Sequence, residues 1–122
     1  MMDIILADDQ VEVREALRCA LEDQADMHLV SEATSAVELL AHLALRCPDL
    51  VLLDWELPGM SGVELMAQAR EVCPTLKLIA LSVRPEACAQ ATRSGVECFV
   101  SKGDPPERLL DAVRRVASRK AI

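Results

Sequence analysis

The sequence predicts an α/β fold: a parallel sheet with helices on both faces, made by the whole chain, 1–122, as one domain. Three observations predict it. Apolar runs of four to six residues alternate with helical patterns of ten to fifteen, five times over, as repeated βα units do. The length of 122 residues fits one domain, and an apolar content of 52% fills a core without disulfide or metal staples. Finally, single polar residues stand at the carboxyl ends of the apolar runs, where open parallel sheets bind ligands.

The strands are expected at 3–7, 29–33, 50–53, 77–81 and 97–100. The first helix, about 11–23, turns Val13, Leu17, Ala20 and Leu21 to one face and Arg14, Glu15, Arg18 and Glu22 outward. The second, about 35–46, carries Leu39, Leu40 and Leu43, and Pro48 prevents its continuation. The third starts after Ser61-Gly62, with Ser61 as N-cap, and ends near Cys73-Pro74. The fourth starts at Pro85 and stops at Ser94-Gly95, where glycine supplies a left-handed cap. The fifth runs from about Pro106 to Arg119, with Leu109, Leu110, Val113 and Val116 inward and a basic end of Arg114, Arg115, Arg119 and Lys120. Five such units, with a binding site where the strand order reverses, fit the flavodoxin-like order 2-1-3-4-5.

The net charge of −7 argues against non-specific binding to DNA or anionic membranes by this chain itself. No apolar stretch approaches the roughly 20 residues of a membrane span, and the start has no basic segment before an apolar one. Five cysteines (Cys19, Cys47, Cys73, Cys88 and Cys98) at irregular spacings, without a C-x-x-C pair, read as free thiols packed as small apolar residues in a cytoplasmic protein.

Asp8 and Asp9 follow Ile4-Ile5-Leu6-Ala7; Asp54 follows Leu50-Val51-Leu52-Leu53; Ser82 follows Leu78-Ile79-Ala80-Leu81; Lys102 closely follows Cys98-Phe99-Val100. One sheet edge would gather three carboxylates, a hydroxyl and an ammonium. Two unit charges 4 Å apart repel by about 4 kcal/mol at an effective dielectric of 20, so three carboxylates call for a cation. Mg²⁺, a hard ion that accepts carboxylates and keeps several waters, suits them, and the set suits acceptance of a phosphoryl group.

These residues, together with Leu52-Leu53-Asp54-Trp55-Glu56-Leu57-Pro58-Gly59-Met60-Ser61-Gly62 and Phe99-Val100-Ser101-Lys102, resemble the receiver domain of two-component response regulators over essentially the whole chain. The resemblance implies that Asp54 takes a phosphoryl group from a histidine kinase or phosphotransfer protein. It implies that Asp9, Asp54 and the Glu56 backbone carbonyl hold Mg²⁺, with Asp8 acting through water. Lys102 and Ser82 would contact phosphoryl oxygens, and Leu57-Pro58-Gly59 would form a tight turn after the acceptor. Ser82 and Phe99 would form a switch that reshapes the surface of the fourth helix, fifth strand and fifth helix. Such a module is no enzyme beyond its own phosphorylation and dephosphorylation. Its output here is expected to be transcription, since Lys102-Gly103-Asp104 is similar to receivers that precede helix-turn-helix domains. A phosphorylation-dependent homodimer is compatible with this reading.

The chain departs from the family pattern at several positions. Val83 stands where Ala or Gly is usual and should narrow access to the acceptor. Gly103 stands where proline is usual and should supply unusual backbone angles. The segment from Ser82 to Gly95 looks short, which implies a tight loop before the fourth helix. Glu56 and Arg84, at positions that tune phosphoryl lifetime in the family, are expected to pair across the mouth of the site. Trp55 reads as a partly exposed lid. Two alternatives stand beside this reading. One is a pseudo-receiver interaction module that is not phosphorylated. The other is an aspartyl phosphatase, which would need an aspartate where Glu56 lies.

Overall fold

The computed structural model describes residues 1–118. Arg119 and Lys120, part of the basic end expected of the last helix, lie outside the described residues. The elements run β1 (Met2–Ala7), α1 (Val11–Glu22), β2 (Met27–Ala33), α2 (Ala36–Leu45), β3 (Leu50–Asp54), α3 (Gly62–Val72), β4 (Lys77–Ser82), α4 (Ala87–Arg93), β5 (Cys98–Ser101) and α5 (Pro106–Ser118). All strand pairs are parallel, in the order β2-β1-β3-β4-β5.

Alternation along the buried strands divides the core in two, because successive side chains leave opposite faces of a sheet. Ile5, Ala7, Val51, Leu53, Leu78 and Ala80 face the layer completed by α2, α3 and α4. Ile4, Leu6, Leu50, Leu52, Ile79 and Leu81 face the layer closed by Leu21 of α1 and by Leu109, Val113 and Val116 of α5. The starts of α2 and α3 follow the capping rules: the hydroxyls of Ser35 and Ser61 accept the backbone N–H of Glu38 and Glu64. The Glu38 carboxylate also accepts the backbone N–H of Thr34, the residue before the cap.

Several expectations change. β2 starts two residues earlier than expected, at Met27, and Asp54 and Ser82 are the last residues of their strands. α4 begins at Ala87, not Pro85. The residues before it form single turns, with the N–H groups of Ala87 and Cys88 donating to the carbonyls of Arg84 and Pro85. Gly95 does take the expected left-handed conformation, with φ +95°. Gly103 does not, since the positive-φ glycines among the described residues are Gly59 and Gly95. Instead the Gly103 N–H donates to Ser101 Oγ at 3.2 Å, which holds the turn after β5 with ordinary backbone angles. Cys47 and Cys73 are joined in a disulfide; only Cys19, Cys88 and Cys98 are free thiols. The fold brings the ends of α2 and α3 together, which spacing along the chain does not reveal.

Candidate functional site

Strand register builds the site. Ala7 lies beside Leu53, Asp54 beside Leu81 and Ser82 beside Ser101, so four strands end together at one edge. The Trp55 N–H donates to the Leu81 carbonyl at 2.8 Å and the Lys102 N–H to the Ser82 carbonyl at 3.0 Å, extending the pairing just past the strand ends. Each polar residue is thereby held by rigid backbone.

Asp8, Asp54 and Ser82 are the buried polar residues among those described, with exposures of 0, 2 and 1%. Asp9 is exposed. One carboxylate oxygen from each of Asp8, Asp9 and Asp54 lies within 4.8 Å of the others. The Lys102 ammonium sits 2.8 Å from Asp8 Oδ2 and 3.3 Å from Asp54 Oδ1. It also donates to Gln10 Oε1 at 3.1 Å. Asp54 Oδ1 accepts the Glu56 N–H at 3.0 Å, and Asp8 Oδ1 accepts the Gln10 N–H at 2.9 Å. The Arg14 guanidinium donates to the Asp8 carbonyl at 2.9 Å.

Burial pushes the Asp54 carboxyl up to about 6, and the neighbouring Asp8 charge adds to the rise. The Glu56 N–H and Lys102 oppose it without prevailing. For Lys102, burial alone would lower the ammonium, but its hydrogen bond to Asp8 and the charges of Asp54 and Asp8 outweigh that and raise it. The site is thus short of positive charge: one lysine faces three carboxylates. Among the described residues, the fully buried Asp8 Oδ2 is met by the Lys102 ammonium alone. An all-oxygen donor set with spare acceptor capacity fits a hard divalent cation.

Other expected residues fall differently. The Ser82 hydroxyl donates to Glu56 Oε1 at 2.8 Å and accepts the Arg84 N–H at 2.9 Å. Glu56 does not pair with Arg84, whose guanidinium turns to Glu86 at 3.1 Å. The short loop puts Arg84 nearer Glu86 on its own turn, and the Ser82 hydroxyl is the closer partner for Glu56. Val83 is 66% exposed, an apolar side chain left in solvent beside Ser82. Phe99 is half-buried against the α2–α3–α4 core layer.

Trp55 is no exposed lid. It is 5% exposed, and its indole N–H donates to Gln90 Oε1 of α4 at 2.8 Å. Its ring covers Gly62 so closely that a Cβ there would lie 2.6 Å from ring carbons. Gln10 and Gln90 escaped the sequence reading. Gln10 directly follows the Asp8-Asp9 pair, a signal that could have found it, whereas nothing in the sequence links Gln90 to Trp55.

Comparison with known proteins agrees with this geometry. The family described as "Response regulator receiver domain" matches residues 4–114. The uncharacterized transcriptional regulatory protein YxjL of Bacillus subtilis (strain 168) is 32% identical over 121 residues, covering 98% of this chain and 56% of YxjL. The response regulator UvrY of Escherichia coli (strain K12) is 30% identical over 97% of this chain and 55% of its own length. The chain thus spans about half the length of these relatives. Among solved structures, a LuxR-family two-component response regulator from Aurantimonas sp. SI85-9A1 superposes with a TM-score of 0.88 at 27% identity, covering 100% of this chain and 89% of that one.

Proposed function

This chain belongs to the response regulator receiver domain family, and on that premise we propose that it accepts a phosphoryl group on Asp54 from a phosphohistidine of a partner kinase or phosphotransfer protein. The observation that carries the proposal is the buried Asp54 carboxylate held between the Lys102 ammonium and two further carboxylates. Asp54 Oδ1 takes the Glu56 N–H and faces Lys102, while no hydrogen bond to Oδ2 is made among the described residues. Oδ2 is therefore the nucleophile. It forms the new P–O bond as the P–N bond to the imidazole breaks, and the departing imidazole takes up a proton from solvent. The product is an acyl phosphate.

The carboxylates of Asp8, Asp9 and Asp54 would hold Mg²⁺ together with the Glu56 carbonyl. The ion supplies neutralisation of phosphoryl charge. Lys102 is already poised as a point charge for a phosphoryl oxygen. Ser82 has to leave Glu56 before its hydroxyl can donate to the phosphoryl group. The bond that now holds Ser82 to Glu56 and the half-buried position of Phe99 support a two-state change of the α4–β5–α5 surface.

An apolar cleft of about 230 Å³ lies beside Lys102, between α1 and the β5–α5 turn, with Val13, Ala16, Leu17, Pro106 and Leu109 in its wall. It offers the kinase a docking face at the acceptor. The relatives named as transcriptional regulators support transcription as the output, exercised in a longer protein and tied to phosphorylation here.

Trp55 makes the test direct, because it is the only tryptophan and adjoins the acceptor. Its fluorescence should change saturably with Mg²⁺ and then with beryllofluoride, an aspartyl phosphate mimic, in wild type and not in Asp54→Asn. The absence of both a fluorescence change and a calorimetric signal with Mg²⁺ would leave an interaction module that is not phosphorylated.

A further inference from the structure

We propose that Cys47 and Cys73 form a reversible thiol–disulfide site, which takes up low-molecular-weight disulfides through Cys47 and closes on Cys73. The pair stands apart from the phosphoryl site and does not depend on that reading. Cys47 follows the end of α2, and Cys73 caps the end of α3. Their Cα atoms are 5.8 Å apart, within the roughly 4.4–6.8 Å that a disulfide spans. The helix ends thus stand at a separation that accommodates the bond.

Access distinguishes the two sulfurs. Cys47 is an exposed residue, whereas Cys73 is 2% exposed within the core layer that holds Leu43 and Leu76. A disulfide from solution meets Cys47 first. The Cys47 thiolate attacks it, forming a mixed disulfide and releasing one small thiolate. The Cys73 thiolate then attacks the Cys47 sulfur and releases the second. Two protein thiols are oxidised, one small disulfide is reduced to two thiols, and the protons from the cysteines end on those thiols or in solvent. An excess of small thiol runs the sequence backwards, again through Cys47. Cys19 on α1, Cys88 on α4 and Cys98 on β5 are free and have no such resolving partner.

The bond closes a loop of sequence separation 26 that includes β3, the acceptor Asp54, Trp55 and all of α3. Cys47 lies before β3 and Asp54 at its other end, so the clip grips the bases of α2 and α3 away from the carboxylates. Its effect falls on stability, by restricting the unfolded chain, and leaves the acceptor geometry in place.

The experiment compares wild-type protein treated with oxidised glutathione and with dithiothreitol, so the reduced protein is its own folded reference. Trypsin separates the cysteines onto peptides 47–70 and 71–77. The expected results are a linked peptide pair, a mass lower by two hydrogens, and a thermal midpoint raised by about 5–15 °C. Dithiothreitol should reverse all three without unfolding, and Cys47→Ser should abolish them. The beryllofluoride response should agree within twofold between the two forms. A glutathione adduct that persists on Cys47, links between chains through Cys19 or Cys88, no reaction, or a bond reducible only after unfolding would each overturn the proposal.

Discussion

Asp54 is a carboxylate in surroundings that disfavour its charge. Its carboxyl ionises near 6 in the folded protein, against an ordinary value of 3.8. Between those pH values the folded state binds more protons than the unfolded one. Stability therefore falls as pH rises from about 4 to 6 and stays low above it, in the absence of a divalent cation. Asp54→Asn removes that cost, so it should stabilise the metal-free domain by about 1–3 kcal/mol at pH 7 and by far less at pH 4. Urea melts at the two pH values check this, and a destabilised variant at pH 7 would contradict it. Glu56 gives a second prediction. Its carboxylate occupies the Ser82 hydroxyl, so Glu56→Ala should tighten beryllofluoride binding by about 2–10-fold, the worth of one ordinary hydrogen bond. Arg84→Ala should leave binding unchanged, because that side chain pairs with Glu86 and not with Glu56.

At the scale of elements, α3 and α4 are tied to the acceptor strand through Trp55. Gly62 opens α3 under the indole ring and Gln90 of α4 accepts its N–H. Gly62→Ala drives a methyl into a packed ring, which should cost about 1–3 kcal/mol in a urea melt and shift the tryptophan emission. Gln90→Leu leaves a buried N–H unpaired, at a cost of about 1–3 kcal/mol. The same change in a Trp55→Phe background removes no partner and should cost much less. A double-mutant cycle reads the difference, and equal costs in both backgrounds would disprove the tie. The α3 end is further held by Arg70, whose guanidinium meets Glu97 at 2.7 Å ahead of β5.

Across the whole molecule, the charge deficit of the site makes stability responsive to ligands. Mg²⁺ with beryllofluoride, at a hundredfold excess over Kd, should stabilise the wild-type domain by about 2.7 kcal/mol. Thermal scans should show that shift in wild type and not in Asp54→Asn. The five βα units, their strand order and the Asp8, Asp9, Asp54, Ser82 and Lys102 constellation were legible in the sequence. Each depends on local pattern: apolar runs of strand length, helical spacing, caps, and polar residues at run ends, and a parallel sheet with short connections leaves few topologies open. Trp55 was misread because burial belongs to the neighbourhood and not to the residue.

The amino-acid order by itself determined which residues meet at the sheet edge, because strand ends in register must bring their last side chains together. Only the tertiary structure decided how those side chains choose among partners a few ångströms apart. It gave Ser82 to Glu56, Arg84 to Glu86, Trp55 to Gln90 and Cys47 to Cys73. Three of these pairs join segments far apart along the chain, and in all four the choice turns on distance, burial and side-chain direction, which are set by packing and leave no periodic trace in the chain.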